Sequence, residues 1–194
     1  MKTSPKIKAA RVSVATALSL ALLKLATGLL TGSLAVLSSA VDSLLDILMS
    51  GVNLAAISHA EQPADDKHPY GHGKFETLAT LFQSLVIAVS GGWIIYEAVR
   101  RLIHGTSVTH PAGGIAVMIV SLAASWLISR YLKRVARQTD SSALAADALH
   151  FSMDVYTNLA LLTGLVILAW TGLPWIDPVM SLLVAIYILS LIHI

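Results

Sequence analysis

Two pairs of metal-binding side chains lie at helical spacing inside long apolar segments. Asp42 and Asp46 are four residues apart in one segment, and His150 and Asp154 are four residues apart in another. On an α-helix this spacing places both side chains on one face, one turn apart. An ionised side chain in the middle of a membrane helix costs roughly 2.5–3.5 kcal/mol on insertion scales, so each pair needs a function or a partner.

The donor atoms of the two pairs suit a divalent transition-metal ion. Three carboxylates and one imidazole can form a tetrahedral shell that Zn²⁺ prefers and that Fe²⁺, Cd²⁺ or Co²⁺ tolerate. The chain contains no cysteine, which disfavours copper(I) and excludes disulfides and thiol catalysis. Carboxylates buried together repel one another, so the cluster should exchange protons for the metal. The alternative is a polar cluster that serves only helix packing.

The rest of the chain has the composition of a membrane protein. Its 194 residues are 56% hydrophobic and 12% charged, and the mean hydropathy is +0.75. This composition predicts an all-α, polytopic protein of the lipid bilayer. The basic residues are not grouped with aromatic residues on a polar face, so no nucleic-acid partner is expected.

Apolar segments and turn residues predict six transmembrane helices within a single domain, residues 11–194, after a cytoplasmic segment, residues 1–10. A polar loop with two prolines separates the second helix from the third, and a basic linker separates the fourth from the fifth. The predicted helices are approximately residues 11–30, 34–60, 75–100, 113–132, 142–171 and 179–194.

The distribution of basic residues predicts that both termini are cytoplasmic. Only Arg100 and Arg101 fall on the opposite side. Lys24 lies inside the first helix, where it needs either a partner or a route to the membrane interface, and extension to the interface is favoured. Ten basic residues fall on the side of the N-terminus: Lys2, Lys6, Lys8, Arg11, Lys67, Lys74, Arg130, Lys133, Arg134 and Arg137.

These motifs resemble the membrane domain of the cation diffusion facilitator family, which are proton-coupled exporters of divalent metal ions. The resemblance rests on the Asp42/Asp46 pair, the His150/Asp154 pair and the loop 63–74, and it covers nearly the whole chain. The loop is especially close to the bacterial zinc and ferrous-iron branch. The resemblance implies metal efflux by proton antiport, with Zn²⁺ as the first candidate ion, no organic cofactor, and a homodimer in the bacterial inner membrane.

The resemblance also implies a second metal site in the loop, formed by Asp65, His68 and His72. Their spacing, Asp-x2-His-x3-His, is itself compatible with Zn²⁺. The alternative is a solvated turn, in which Asp66 and His59 are bystanders like their neighbours.

One departure from the family concerns the C-terminus. Most members continue past the sixth helix into a cytoplasmic domain with a ferredoxin-like fold, whereas this sequence ends at Ile194 while still apolar. Either the protein consists of the membrane domain alone or the sequence is a fragment. In the family, a lysine that Lys74 resembles forms a salt bridge with an aspartate beyond the sixth helix of the partner protomer. That aspartate has no counterpart in the sequence up to Ile194, so the sequence does not predict how stable the dimer is.

Two other functions are alternatives to metal export. A membrane metalloenzyme is disfavoured because the chain has neither a His-Glu-x-x-His motif nor several His-rich segments. A non-transporting metal-binding structural or sensor subunit is the remaining alternative.

Asp147, one turn nearer the cytoplasm than His150, is expected along the access path of the ion. Three further histidines match no motif and are read as interfacial: His104, His110 and His193.

Overall fold

The computed structural model describes residues 4–31, 34–104, 112–171, 173 and 175–190. The described residues form helices and no strand, which confirms the all-α fold. Leu30 and Trp170 on the outer surface are almost fully exposed, as expected for side chains that face lipid rather than water. The helices are α1 (Pro5–Thr31), α2 (Leu34–Ala60), α3 (Lys74–His104), α4 (Ala112–Thr139), α5 (Ser142–Thr171) and α6 (Ile176–Ser190).

Within the described residues, four segments are long and apolar enough to cross a bilayer, by length and composition. They are Pro5–Leu30, Ser39–Ala60, Lys74–His104 and Ala116–Thr139. Helix α5 has 30 residues, which at about 1.5 Å per residue also exceeds the thickness of the hydrocarbon core. His110 and His193 lie outside the described residues.

The predicted basic linker between the fourth and fifth helices is wrong, because α4 continues through it to Thr139. The segment contains no glycine or proline that would stop a helix. Val135 and Ala136 are buried against the main core, so the added turns cover apolar surface. Helix α1 likewise begins at Pro5, well before the expected start, and buries Ala9 in the same core. The predicted bounds of α5 are confirmed.

Helices α1, α2, α4 and α5 form a bundle, and α3 and α6 pack together beside it. The bundle is built from small residues that allow close helix approach. Gly28 illustrates this, since a methyl group at its Cα would lie 2.8 Å from Cδ2 of Leu37 on α2. The main core lies at the end of the bundle where α1 begins and α4 ends, here called the loop end. It includes Ala9, Ala10, Ala17, Ile57, Leu132, Leu144 and Phe151.

The buried carboxylate of Glu76 holds three helices together at the loop end. The ammonium of Lys6 donates a hydrogen bond to Oε1 of Glu76 at 2.8 Å, and the hydroxyl of Ser141 donates to Oε2 at 2.8 Å. Oγ of Ser141 also accepts a hydrogen bond from the backbone N–H of Leu144, so Ser141 is the N-cap of α5. Glu76 therefore fixes the first turns of α1, α3 and α5 relative to one another.

Replacing Glu76 with Ala should lower the free energy of unfolding by roughly 2–4 kcal/mol, because the buried Ser141 hydroxyl and the partly buried Lys6 ammonium lose their acceptor. Unfolding can be followed by a denaturant titration of the purified protein in detergent. Glu61→Ala removes an exposed carboxylate of the same kind and should leave the midpoint unchanged. Equal stability of the two variants would contradict the structural role of Glu76.

Candidate metal centre

Three of the predicted ligands meet between α2 and α5. The Nε2 atom of His150 lies 2.9 Å from Oδ1 of Asp46. Asp154 completes a group in which one donor atom from each residue lies within 4.8 Å of the others. The side chains of His150 and Asp46 are only 12% and 16% exposed. The two pairs found in the sequence thus contribute to one largely buried cluster.

Local packing explains why His150 and Asp154 face α2. The next residue, Phe151, is 1% exposed in the main core, and its ring meets the His150 ring edge-on at a centroid distance of 6.0 Å. Asn158 does not contribute to the cluster, because its Nδ2 donates to the backbone carbonyl of Asp154 at 2.7 Å. Asn158 thus contacts the backbone of Asp154, whereas the side-chain carboxylate of Asp154 belongs to the cluster with Asp46 and His150.

Asp42 is the predicted ligand that the structure does not bring into this group. It lies one turn before Asp46 on α2, and its side chain is exposed. The structure thus joins one residue of the α2 pair to both residues of the α5 pair.

The spacing of the three donor atoms is close to that of a tetrahedral metal shell. Metal–nitrogen and metal–oxygen distances of about 2.0–2.1 Å place neighbouring donors roughly 3.3 Å apart. Nε2 of His150 and Oδ1 of Asp46 lie 2.9 Å apart, and a donor pair at the 4.8 Å limit would have to approach by about 1.5 Å. Side-chain rotation alone can supply such a change.

The loop residues Asp65, His68 and His72 form a second cluster of donor atoms within 4.8 Å of one another. Nδ1 of His68 lies 3.1 Å from Oδ1 of Asp65, and Nε2 of His72 lies 3.5 Å from Oδ2 of the same carboxylate. Gly71 adopts a left-handed φ of 79°, which turns the chain so that His72 faces back towards Asp65. All three residues that the resemblance implied are therefore brought together.

The loop backbone prepares Asp65 to act as an anionic ligand. The backbone N–H of His68 donates to Oδ1 of Asp65 at 2.6 Å, and the N–H of Lys67 donates to the same oxygen at 3.0 Å. These hydrogen bonds, that of His68 first, hold the pKa of Asp65 below its usual value. The carboxylate therefore stays ionised to a lower pH than an unconstrained aspartate.

Two histidines near the loop, His72 of the cluster and His59 of α2, have different surroundings. His72 is 7% exposed, and its Nδ1 is buried without a hydrogen-bond partner among the described residues. His59 instead lies with Nδ1 3.0 Å from the carbonyl of Ala55 and with its ring against Phe75. His59 is thus occupied by its own helix, as expected for a bystander.

Asp147, which the sequence suggested for the entry path of the ion, is fully buried in this structure. The hydroxyl of Ser13 on α1 donates to Oδ2 of Asp147 at 2.6 Å. Nε2 of Gln83 on α3 donates to Oδ1 at 3.3 Å, and the hydroxyl of Ser50 on α2 lies 3.5 Å from the same atom. Every partner is a donor, which is the arrangement that satisfies a buried carboxylate.

Asn53 extends this buried network to a fifth side chain. Its Nδ2 donates to Oε1 of Gln83 at 3.0 Å and to the carbonyl of Ala143 at 3.3 Å. Because Oε1 of Gln83 accepts from Asn53, Nε2 of Gln83 is left to donate to Asp147. The network connects α1, α2, α3 and α5. In the sequence, Ser50 and Asn53 follow Asp46 on one side of α2, and Gln83 is an isolated polar residue of α3; Ser13 carries no such signal.

Asp147→Ala should destabilise the protein by roughly 2–6 kcal/mol, because the two nearer buried donors, Ser13 and Gln83, lose their acceptor at about 1–3 kcal/mol each. Asp147→Asn keeps one acceptor oxygen for Ser13 and should lose less. The same detergent-based unfolding titration measures both variants against Asp66→Ala, in which the replaced side chain is exposed. If Asp147→Ala unfolded at the same denaturant concentration as the parent, the buried network would not be a stabilising element.

Lys24 has a hydrogen-bond partner within the protein, which is the less favoured of the two possibilities that the sequence left open. Its ammonium donates to the hydroxyl of Ser43 on α2 at 2.8 Å. Ser43 is 1% exposed and follows Asp42 in the sequence. The positive charge is therefore held against the helix that carries the aspartate pair.

The fold and the buried cluster define an integral membrane protein with candidate metal ligands between two of its helices. Residues 10–192 match the cation efflux transmembrane domain, and the chain belongs to this cation efflux family. The resemblance to the cation diffusion facilitators is thereby confirmed. Members of the family are transporters, so the expectation that the chain is not an enzyme is confirmed as well.

Individual relatives agree with this assignment. The chain is 39% identical to the cation-efflux pump FieF of Salmonella arizonae over 182 residues, and 38% identical to the proteins of the same name from Salmonella paratyphi A and Salmonella agona. Each match covers 94% of this chain but only 60% of the relative. The chain therefore spans less than two thirds of the length of these curated relatives. Their bacterial origin fits the expected inner-membrane location.

Proposed function

We propose that the protein exports divalent metal ions, with Zn²⁺ as the first candidate, in exchange for protons. The observation that carries this proposal is the convergence of Asp46, His150 and Asp154 from α2 and α5 into one largely buried group. The names of the relatives describe cation-efflux pumps, which supports the same direction of transport. Fe²⁺, Cd²⁺ and Co²⁺ are the other ions that this ligand set can hold.

In this proposal Asp42 is the fourth ligand of the ion. It lies on the same helix as Asp46, one turn away, and its exposed side chain is free to rotate. Three carboxylate oxygens and Nε2 of His150 then give the tetrahedral shell that suits Zn²⁺. Binding draws α2 towards α5, because the ligands of each helix share one ion.

Proton exchange follows from the chemistry of the same ligands. A metal ion binds only the deprotonated forms of carboxylate and imidazole, so its arrival displaces protons and its departure allows them to return. Three carboxylates facing one another in a membrane would otherwise repel strongly. The ion enters from the cytoplasm, where the excess of basic residues places both termini, and leaves on the opposite side as the helices change their relative positions.

Asp65, His68 and His72 form a second metal site in the loop between α2 and α3. The three donor atoms within 4.8 Å and the ionised state of Asp65 support this assignment. The transporter acts as a homodimer in the bacterial inner membrane, as the resemblance to the family implies. Each protomer then carries its own ion through the cluster between α2 and α5.

Asp46→Ala and Asp154→Ala should abolish most Zn²⁺ transport, because each removes a ligand of the ion. The measurement is Zn²⁺ flux in proteoliposomes under an imposed proton gradient, with Asp66→Ala as a matched control for an exposed loop carboxylate. Flux at the parental rate in both site variants would overturn the proposal. Zn²⁺ binding at the parental affinity without any flux would instead support the alternative function, a non-transporting metal-binding structural or sensor subunit.

Replacing His150 with Asp should shift metal preference from Zn²⁺ towards Mn²⁺, because an all-oxygen shell is harder than one containing imidazole. Competition between the two ions for transport in proteoliposomes measures this shift. His104→Asp makes the same substitution at an exposed residue near the end of α3 and should leave the preference unchanged. An unaltered preference in His150→Asp would show that His150 is not a ligand.

A further inference from the structure

Lys24 is a basic residue placed within α1, away from both helix ends. Seven residues of α1 follow it, which corresponds to roughly 10 Å of helix. A lysine at this depth ordinarily extends its ammonium towards water. The ammonium of Lys24 instead donates to the hydroxyl of Ser43, a buried residue of α2. The protein therefore keeps a positive charge beside the helix that carries Asp42 and Asp46.

The charge of Lys24 acts on the proposed transport site. Ser43 directly follows Asp42, so the hydrogen bond at 2.8 Å places the ammonium beside the turn of α2 that carries the first aspartate of the pair. The hydrogen bond of Lys24 nevertheless goes to the neutral hydroxyl of Ser43. The positive charge therefore lies next to a proposed ligand, while its hydrogen bond is made to a residue that is not a ligand.

Charge balance indicates what this arrangement does. The ionised carboxylates of Asp42, Asp46 and Asp154 together exceed the charge of one divalent ion, and an unbalanced charge is costly in a membrane. The ammonium of Lys24 offsets one carboxylate, so that one divalent ion neutralises the remainder. The same ammonium repels the bound cation and weakens its binding. A transported ion has to be released, so moderate affinity favours turnover.

We propose that Lys24 is an affinity-setting counter-charge of the transport site, held in place by Ser43. This inference rests on the proposed function, because it concerns the same cluster of ligands. Lys24 is not a ligand itself. It acts through the electric field at the ion, and the hydroxyl of Ser43 keeps the ammonium from pairing directly with Asp42.

The test is isothermal titration of the purified full chain in detergent with Zn²⁺ as the probe. Asp154→Asn identifies which binding phase belongs to the transport site. Lys24→Gln and Lys24→Met should bind Zn²⁺ more tightly in that phase, on the order of tenfold, because a unit charge no longer repels the divalent ion. Lys24→Arg keeps the charge and should bind as the parent does. Damage to the fold weakens binding, so it cannot produce the expected gain.

Unchanged or weaker Zn²⁺ binding in Lys24→Gln and Lys24→Met would overturn the inference. If neither variant yields folded protein, Ser43→Ala tests the same idea with the opposite sign. In this variant the ammonium of Lys24 is released to pair with Asp42, so Zn²⁺ binding should weaken. Zn²⁺ binding at the parental affinity would overturn the inference. If Asp154→Asn left every Zn²⁺ phase of the parent unchanged, the proposed site itself would fail, and the counter-charge with it.

Discussion

The cost of placing a charge inside a membrane constrains every polar feature of this protein. A charged side chain among hydrocarbon is tolerated only when donors, an opposite charge or a bound ion compensate for lost hydration. Asp147 meets this requirement with hydrogen-bond donors from three other helices. At the loop end, Glu76 meets it with an ammonium and a hydroxyl. The arrangement of the helices follows from these buried acceptors as well as from apolar packing.

Two aspartates of α5 show how the same residue type serves different purposes. The carboxylate of Asp147 has hydrogen-bond partners on three other helices, which suits a residue that holds α5 in position. Asp154, about two turns further along, faces the carboxylate and imidazole of Asp46 and His150 instead. Those groups cannot all satisfy one another without protons or a metal ion. The first aspartate is therefore structural, and the second is suited to an exchangeable ligand.

The sequence was sufficient to predict the all-α class, the bounds of α5 and the meeting of His150 and Asp154 with Asp46. Helical spacing carries that information directly, because four residues make about one turn. It did not predict that α4 continues through its basic segment, since the burial of Val135 and Ala136 depends on α1. The partner of Asp147 on α1, Ser13, is 134 positions away and has no local signature. Contacts of this kind arise only from tertiary packing.

The surroundings of the Lys24 charge are another feature that the sequence alone does not predict. The position of Lys24 in an apolar helix is visible in the sequence, but the direction of its side chain depends on where α2 lies. The contact with Ser43 turns an apparent interfacial anchor into a charge beside the candidate site. The proposed metal site therefore draws on side chains of three helices, two of which carry the candidate ligands.

The most direct measurement is anomalous diffraction at the zinc absorption edge from crystals of the protein grown with Zn²⁺ in lipid. The proposed mechanism predicts an anomalous peak between α2 and α5, with Nε2 of His150 and carboxylate oxygens of Asp46 and Asp154 at about 2.0–2.2 Å. Zinc bound only at the loop cluster of Asp65, His68 and His72, with no peak between the two helices, would contradict it.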